Sequence, residues 1–102
     1  MVKVNYPQSN EILFLRGDIN YTEFHLVDGK KMLSSFTLLR HQEKLENFIR
    51  VSKKHLINPK YIAEIESING IKHIYMQTGE KITVARRRKN LINQLKFKVL
   101  AL

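Results

Sequence analysis

Three turn signals that end in glycine divide much of the chain into short segments. They are Asp28-Gly29, Asn69-Gly70 and Thr78-Gly79. Glycine readily adopts the positive φ of a tight hairpin turn, so such pairs between apolar segments favour antiparallel hairpins. We therefore expect a domain built mainly from antiparallel β-strands.

Strand-like segments flank these turns. Residues 11–16 contain a short apolar run, Ile12 to Leu15, that is typical of a buried strand, and several later segments alternate apolar and polar side chains. The Asn58-Pro59 pair interrupts the pattern, because proline donates no backbone hydrogen bond. The predicted strands cover residues 11–16, 20–28, 30–36, 49–51, 56–57, 61–68, 71–77 and 81–85.

Two segments predict helices. Residues 37–47 are rich in helix formers and carry Leu38 and Leu45 seven positions apart, which predicts a helix of about three turns. The tail has apolar residues at helical spacing, which predicts a C-terminal helix. The expected fold class is α+β, mostly β with small helices, in a single domain over residues 1–102.

The charge of the chain points to a polyanionic partner. Lys and Arg number 18 and Asp and Glu number 9, which gives a net charge of +9. Two stretches, 47–63 and 81–102, contain no acidic side chain. Clustered positive charge favours nucleic acid over an anionic membrane surface. The basic residues of these stretches are Arg50, Lys53, Lys54 and Lys60, then Lys81, Arg86, Arg87, Arg88, Lys89, Lys96 and Lys98.

Several other classes of protein are not indicated. The chain has no cysteine, and its four histidines are too widely spaced for a recognisable metal motif. No phosphate-binding glycine loop or nucleophile motif is present, so we expect neither an enzyme nor a cofactor. Without a long apolar segment or a signal-peptide pattern, a cytoplasmic protein with no membrane partner is expected.

Three segments are candidate nucleic-acid contacts. Lys53 and Lys54 interrupt an apolar segment, and Arg86–Lys89 follow a strand directly with guanidinium groups suited to phosphates or guanine edges. A helix starting at 86–89 is a poor alternative explanation, because cations are unfavourable at a helix N-terminus. For residues 18–22, an ordinary turn and a binding role are equally consistent with the sequence.

The chain resembles a LytTR domain, the DNA-binding module of LytR/AlgR-type bacterial transcription regulators. The resemblance covers nearly the whole chain, through EILFLRGDINYTEFHLVDGKK, TLLRHQEKLENFIRVSKKHLIN with PKYIAEIES following, and TGEKITVARRR. Its most specific part is Arg50-Val51, four variable positions, an apolar pair and Asn58. The chain departs from the family pattern at Ser52, Lys54, His55 and Ala85, where His, Ser, an aromatic residue and Ser are usual.

This resemblance implies a compact stack of antiparallel sheets in which loops bind DNA. It implies that the domain binds paired promoter repeats, with a second protomer on the same DNA. It also implies an upstream receiver domain or a sensor partner that lies outside this chain. Asn58 could then offer a donor and an acceptor to an adenine edge or the backbone. The alternative is an RNA-binding or sequence-non-specific domain, for which Tyr21 and Tyr61 could stack on bases. The implied DNA-binding positions are Asn20, Tyr21, Thr22, Lys53, Lys54, Asn58 and Arg86, with Arg87, Arg88 and Lys89 beside them.

Overall fold

The hairpins predicted from the glycine turns are present in a computed structural model of the chain, which describes residues 6–88. Lys89 and the predicted C-terminal helix lie outside the described residues. Short 3-10 helices cover Ser9–Glu11, Pro59–Tyr61 and Arg86–Arg88. The strands and the helix are β1 (Ile12–Gly17), β2 (Thr22–Leu26), β3 (Lys31–Ser34), α1 (Leu38–Lys44), β4 (Ile49–Ser52), β5 (His55–Ile57), β6 (Ile62–Ile68), β7 (Ile71–Met76) and β8 (Lys81–Thr83).

The Asn69-Gly70 turn shows why these sequence signals were informative. Both residues have positive φ, 53° and 79°, as a two-residue turn of type I′ requires. The flanking strands pair in one register from Ile68 opposite Ile71 to Glu64 opposite Tyr75, and the register shifts before Ile62 opposite Met76. The mainly antiparallel architecture predicted from the sequence is confirmed.

The strands form two antiparallel sheets. One has the order β3-β2-β1-β5-β4, and the other has the order β6-β7-β8. β1 is central in the larger sheet and is buried along most of its length, which explains the apolar run from Ile12 to Leu15. A register shift between Ile12 and Phe14 places Leu13 and Phe14 in the same core.

The larger sheet separates two apolar cores. Leu13, Phe14 and Val51 belong to a core shared with the smaller sheet, whereas Ile12 and Leu15 belong to a core shared with α1. The domain therefore consists of three layers, α1, the larger sheet and the smaller sheet. This layering fixes the ends of β1, β4 and β8, from which the candidate site is built.

The internal helix is shorter than predicted. α1 ends at Lys44 because Leu45 leaves helical geometry, with φ −103° and ψ 72°, and is buried in the core. Its first residue, Leu38, lies so close to Gly17 that a Cβ on the glycine would come 3.0 Å from the Leu38 Cβ. Gly17 therefore lets β1 end directly against α1. Within residues 6–88, no helix is long and apolar enough to cross a membrane.

Candidate nucleic-acid interface

Lys53 and Lys54 form an exposed turn between two buried strands. Val51, Leu56 and Ile57 are fully buried on either side of it. The chain therefore leaves the core for the two lysines and returns directly to it. This agrees with the prediction that the basic pair lies in a loop, and it places two mobile ammonium groups on a rigid support.

Arg50 fastens this turn to the rest of the domain. Its guanidinium donates from Nε to the Ser52 carbonyl at 2.9 Å and from Nη2 to the Lys53 carbonyl at 2.6 Å. Its Nη1 donates to Oε1 of Gln42 on α1 at 2.9 Å. Burial, with the charge of Arg88 adding to it, lowers the pKa of Arg50, but an arginine remains protonated at neutral pH.

Arg50→Lys is expected to keep the charge and lose most of this support, because an ammonium group cannot reproduce the planar fork of donors. We expect the free energy of unfolding to fall by about 1–3 kcal/mol, as for loss of hydrogen bonds from a charged group. Urea unfolding measures this change. The salt dependence of DNA binding should stay the same, since no phosphate contact is removed; a reduced slope would instead make Arg50 a direct contact.

The loop between β1 and β2 lies beside this turn. The Gly17 N–H donates to the Lys54 carbonyl at 2.7 Å. Within the loop, the Asp18 N–H donates to the Tyr21 carbonyl at 2.8 Å, and Oδ1 of Asp18 accepts from the Ile19 N–H at 2.7 Å. The bond from Ile19 lowers the pKa of Asp18, and the charge of Lys54 acts in the same direction. Asn20 is exposed on this loop.

The arginine segment lies against the other side of β4. The Ala85 N–H donates to the Val51 carbonyl at 2.8 Å, and Arg86–Arg88 then form a 3-10 helix. Arg86 and Arg87 are exposed, whereas Arg88 is half-buried and close enough to affect the pKa of Arg50. The arginines therefore begin a short helical turn, contrary to the expectation from the sequence, and this turn lies next to the lysine turn.

These three segments form one end of the molecule, which we call the basic end. It comprises residues 18–21, 53–54 and 86–88. Among the described residues, none of its lysines or arginines forms a salt bridge. Arg16, which leads into it, lies 3.8 Å from Glu23. Free cations from two separate segments, 53–54 and 86–88, make this end suited to a polyanion.

Two of the predicted contact residues are not part of the exposed surface. Thr22 is fully buried, and its hydroxyl donates to the Phe36 carbonyl at 2.8 Å. Asn58 is 6% exposed, and its Nδ2 donates to the carbonyls of Ser9 at 3.1 Å and Ile12 at 2.9 Å. Its Oδ1 accepts from the Lys60 N–H at 3.1 Å. The polar atoms of these two side chains are engaged within the fold, which argues against their assignment to DNA contact.

Comparison with known proteins identifies the family to which the chain belongs. The family model of the LytTr DNA-binding domain matches residues 3–96. The chain belongs to the LytTR family. This is a family of DNA-binding domains, so DNA is the partner of the chain.

A solved LytTR structure has the same fold. It is the LytTr DNA-binding domain of a Bacillus cereus protein described as a methyl-accepting/DNA response regulator. The TM-score is 0.73 at 18% sequence identity, and the alignment covers 85% of this chain and 82% of that one. No curated protein matches the chain significantly. The stacked-sheet fold expected from the resemblance is confirmed.

Proposed function

We propose that the chain binds double-stranded DNA sequence-specifically through the basic end, as part of a cytoplasmic bacterial transcription regulator. The observation that carries this proposal is the meeting of residues 18–21, 53–54 and 86–88 at one end of the domain. A single basic loop would supply charge alone. Three anchored loops can supply charge and a fixed set of polar side chains together.

The exposed residues of the basic end are suited to different parts of the duplex. Lys53 and Lys54 are point charges on a short turn, which suits phosphate oxygens. Arg86 and Arg87 present planar guanidinium groups that can contact O6 and N7 of guanine together. Asn20 can contact an adenine edge in the same bidentate manner. We therefore assign affinity chiefly to the lysine turn and sequence preference to Asn20 and the arginines.

The proposed regulator acts at paired promoter repeats. Two protomers, one on each repeat, would double the length of DNA that is read, and a receiver domain or a sensor partner would supply the signal. We take residues 1–102 as one domain in this proposal. Binding to one isolated repeat and to the pair should differ in stoichiometry, which analytical ultracentrifugation can measure.

An RNA-binding role has less support. Such proteins commonly stack unpaired bases on free aromatic faces. Tyr21 is half-buried, and the charge of Asp18 raises the pKa of its hydroxyl. Tyr61 is also half-buried, and its hydroxyl donates to the Asn10 carbonyl. Neither ring is offered as an open stacking surface, so a duplex is the better partner.

Competition between nucleic acids tests the proposed function. The protein would first enrich a duplex from a randomised library, and fluorescence anisotropy would compare that duplex with a scrambled one and with an RNA of equal length. We expect the preference for the enriched duplex to persist at ~0.2 M salt, where non-specific contacts are weak. Equal affinity for all three, lost together as salt rises, would contradict sequence-specific binding.

A further inference from the structure

Ile19 is the most exposed of the large hydrophobic side chains among the described residues. It is 87% exposed and stands at the tip of the loop between β1 and β2, within the basic end. An isolated apolar side chain in solvent contributes nothing to the core. A partner that covers it would gain about 1.5–3 kcal/mol from burial of its apolar surface.

The backbone holds Ile19 in place. Its N–H donates to Oδ1 of Asp18 at 2.7 Å, and the Asp18 N–H closes the turn on the Tyr21 carbonyl at 2.8 Å. The preceding Gly17 is fixed to the Lys54 carbonyl. The side chain therefore projects from an anchored turn beside two exposed lysines, rather than from the middle of an apolar patch.

We propose that Ile19 contacts the 5-methyl group of a thymine in the major groove. This inference rests on the proposed sequence-specific binding of DNA. The exposed neighbour Asn20 is polar and Lys53 and Lys54 are cationic, which suits a polyanionic duplex better than the apolar face of another protein. The one anion of this loop, Asp18, accepts from the Ile19 N–H within the turn. The thymine methyl is the apolar group that base pairs present in the major groove. An isoleucine cannot bind phosphate, so within this loop it adds base selectivity rather than charge.

Replacing single thymines by deoxyuracil tests this contact directly, because only the methyl group is removed. On the duplex enriched from the randomised library, we expect one such replacement to weaken wild-type binding about fourfold, the equivalent of about 0.8 kcal/mol for one buried methyl group. Ile19→Ala should weaken binding to the unmodified duplex to a similar extent. The variant should then be insensitive to that same replacement, which ties the methyl group to this side chain.

Val27→Ala is the matched control. Val27 is also exposed and apolar, but it follows β2 at the Ile12 end of β1, about 17 Å along the sheet from the basic end. Val27→Ala should leave the affinities for the unmodified duplex and for the deoxyuracil-containing duplex at their wild-type values. Ile19 is exposed, so its replacement should leave the unfolding transition unchanged as well.

The possible outcomes separate this inference from the proposed function. If the library yields no preferred sequence, sequence-specific binding itself fails. If a sequence is enriched but no thymine replacement matters, or Ile19→Ala retains the sensitivity, the methyl contact is refuted while the proposed function stands. Uniform weakening of all duplexes by Ile19→Ala would likewise refute it, and would indicate a wedge between base steps instead.

Discussion

Replacing Lys53 and Lys54 together by glutamine is expected to weaken binding to every DNA duplex about 60-fold at ~0.1 M salt. The expectation follows from counterion release, in which each phosphate contact adds about 0.9 to the slope of log affinity against log salt. Two lost contacts should lower the magnitude of that slope by about 1.8. Anisotropy titrations over a salt series measure both quantities on the same samples.

The reason for expecting a full effect is the way the turn is held. Both side chains are exposed, and the backbone beneath them is fixed by Arg50 and Gly17 at 2.6 and 2.7 Å. Neither lysine forms a salt bridge with another described residue, so each is free to bind phosphate. The backbone contacts do not involve the lysine side chains, and the free energy of unfolding should therefore stay within about 0.5 kcal/mol of the wild type.

Lys30→Gln with Lys31→Gln is the matched control. It removes the same charge from exposed positions, but at the β2–β3 turn, which lies at the opposite end of the sheet from the basic end. Over that separation, salt screens most of the attraction to DNA, since the Debye length is about 10 Å at 0.1 M. A similar loss in both double variants would show that net charge, rather than the position of the lysine turn, determines affinity.

Much of the fold was predictable because its signals are local. Positive φ at Asn69 and Gly70 is a property of two adjacent residues, and the continuous apolar run of β1 reports burial on both faces. The exposure of Lys53 and Lys54 followed from charge alone, because an unpaired ammonium group is costly to bury. The shorter α1 was not predictable from helix propensity, since Leu45 ends the helix to fill a core formed by distant strands.

The composition of the basic end depends on contacts between distant segments. Gly17 meets Lys54, and Ala85 meets Val51, through backbone hydrogen bonds that have no side-chain signal. In the sequence Arg50 is one member of a basic stretch, whereas in the structure it supports the turn. The sequence does not single out Ile19, because an apolar residue in a polar loop has no distinctive pattern. In each case, the role of the residue is set by what the fold brings beside it.

The role of Asn58 also depends on contacts with distant segments, which the sequence does not reveal. Replacement of Asn58 by alanine is expected to lower the free energy of unfolding by about 2–4 kcal/mol. Its amide bridges the carbonyls of Ser9 and Ile12 while accepting from the Lys60 N–H. Alanine would leave the buried Ile12 carbonyl without this donor and remove the side chain that caps the following 3-10 helix. Urea unfolding followed by circular dichroism measures the change.

Binding by the folded fraction should be nearly unaffected, because the Asn58 amide does not face the solvent. Asn20→Ala is the contrasting variant. Because Asn20 is exposed, its replacement should lower DNA affinity without lowering stability. If Asn58→Ala instead kept full stability and lost DNA affinity, the side chain would have to turn outward in the complex, and the structural role assigned to it would be wrong.

Asn58→Asp separates loss of shape from loss of donors. Aspartate has nearly the same volume and can still accept from the Lys60 N–H. It places a carboxylate, however, against the two carbonyl oxygens to which Nδ2 of Asn58 donates. An acceptor facing acceptors in a buried position is less favourable than an absent side chain. We therefore expect Asn58→Asp to be at least as destabilising as Asn58→Ala at neutral pH. Equal stability of Asn58→Asp and the wild type would show that the amide donors contribute little, and that Asn58 acts only through its contact with Lys60.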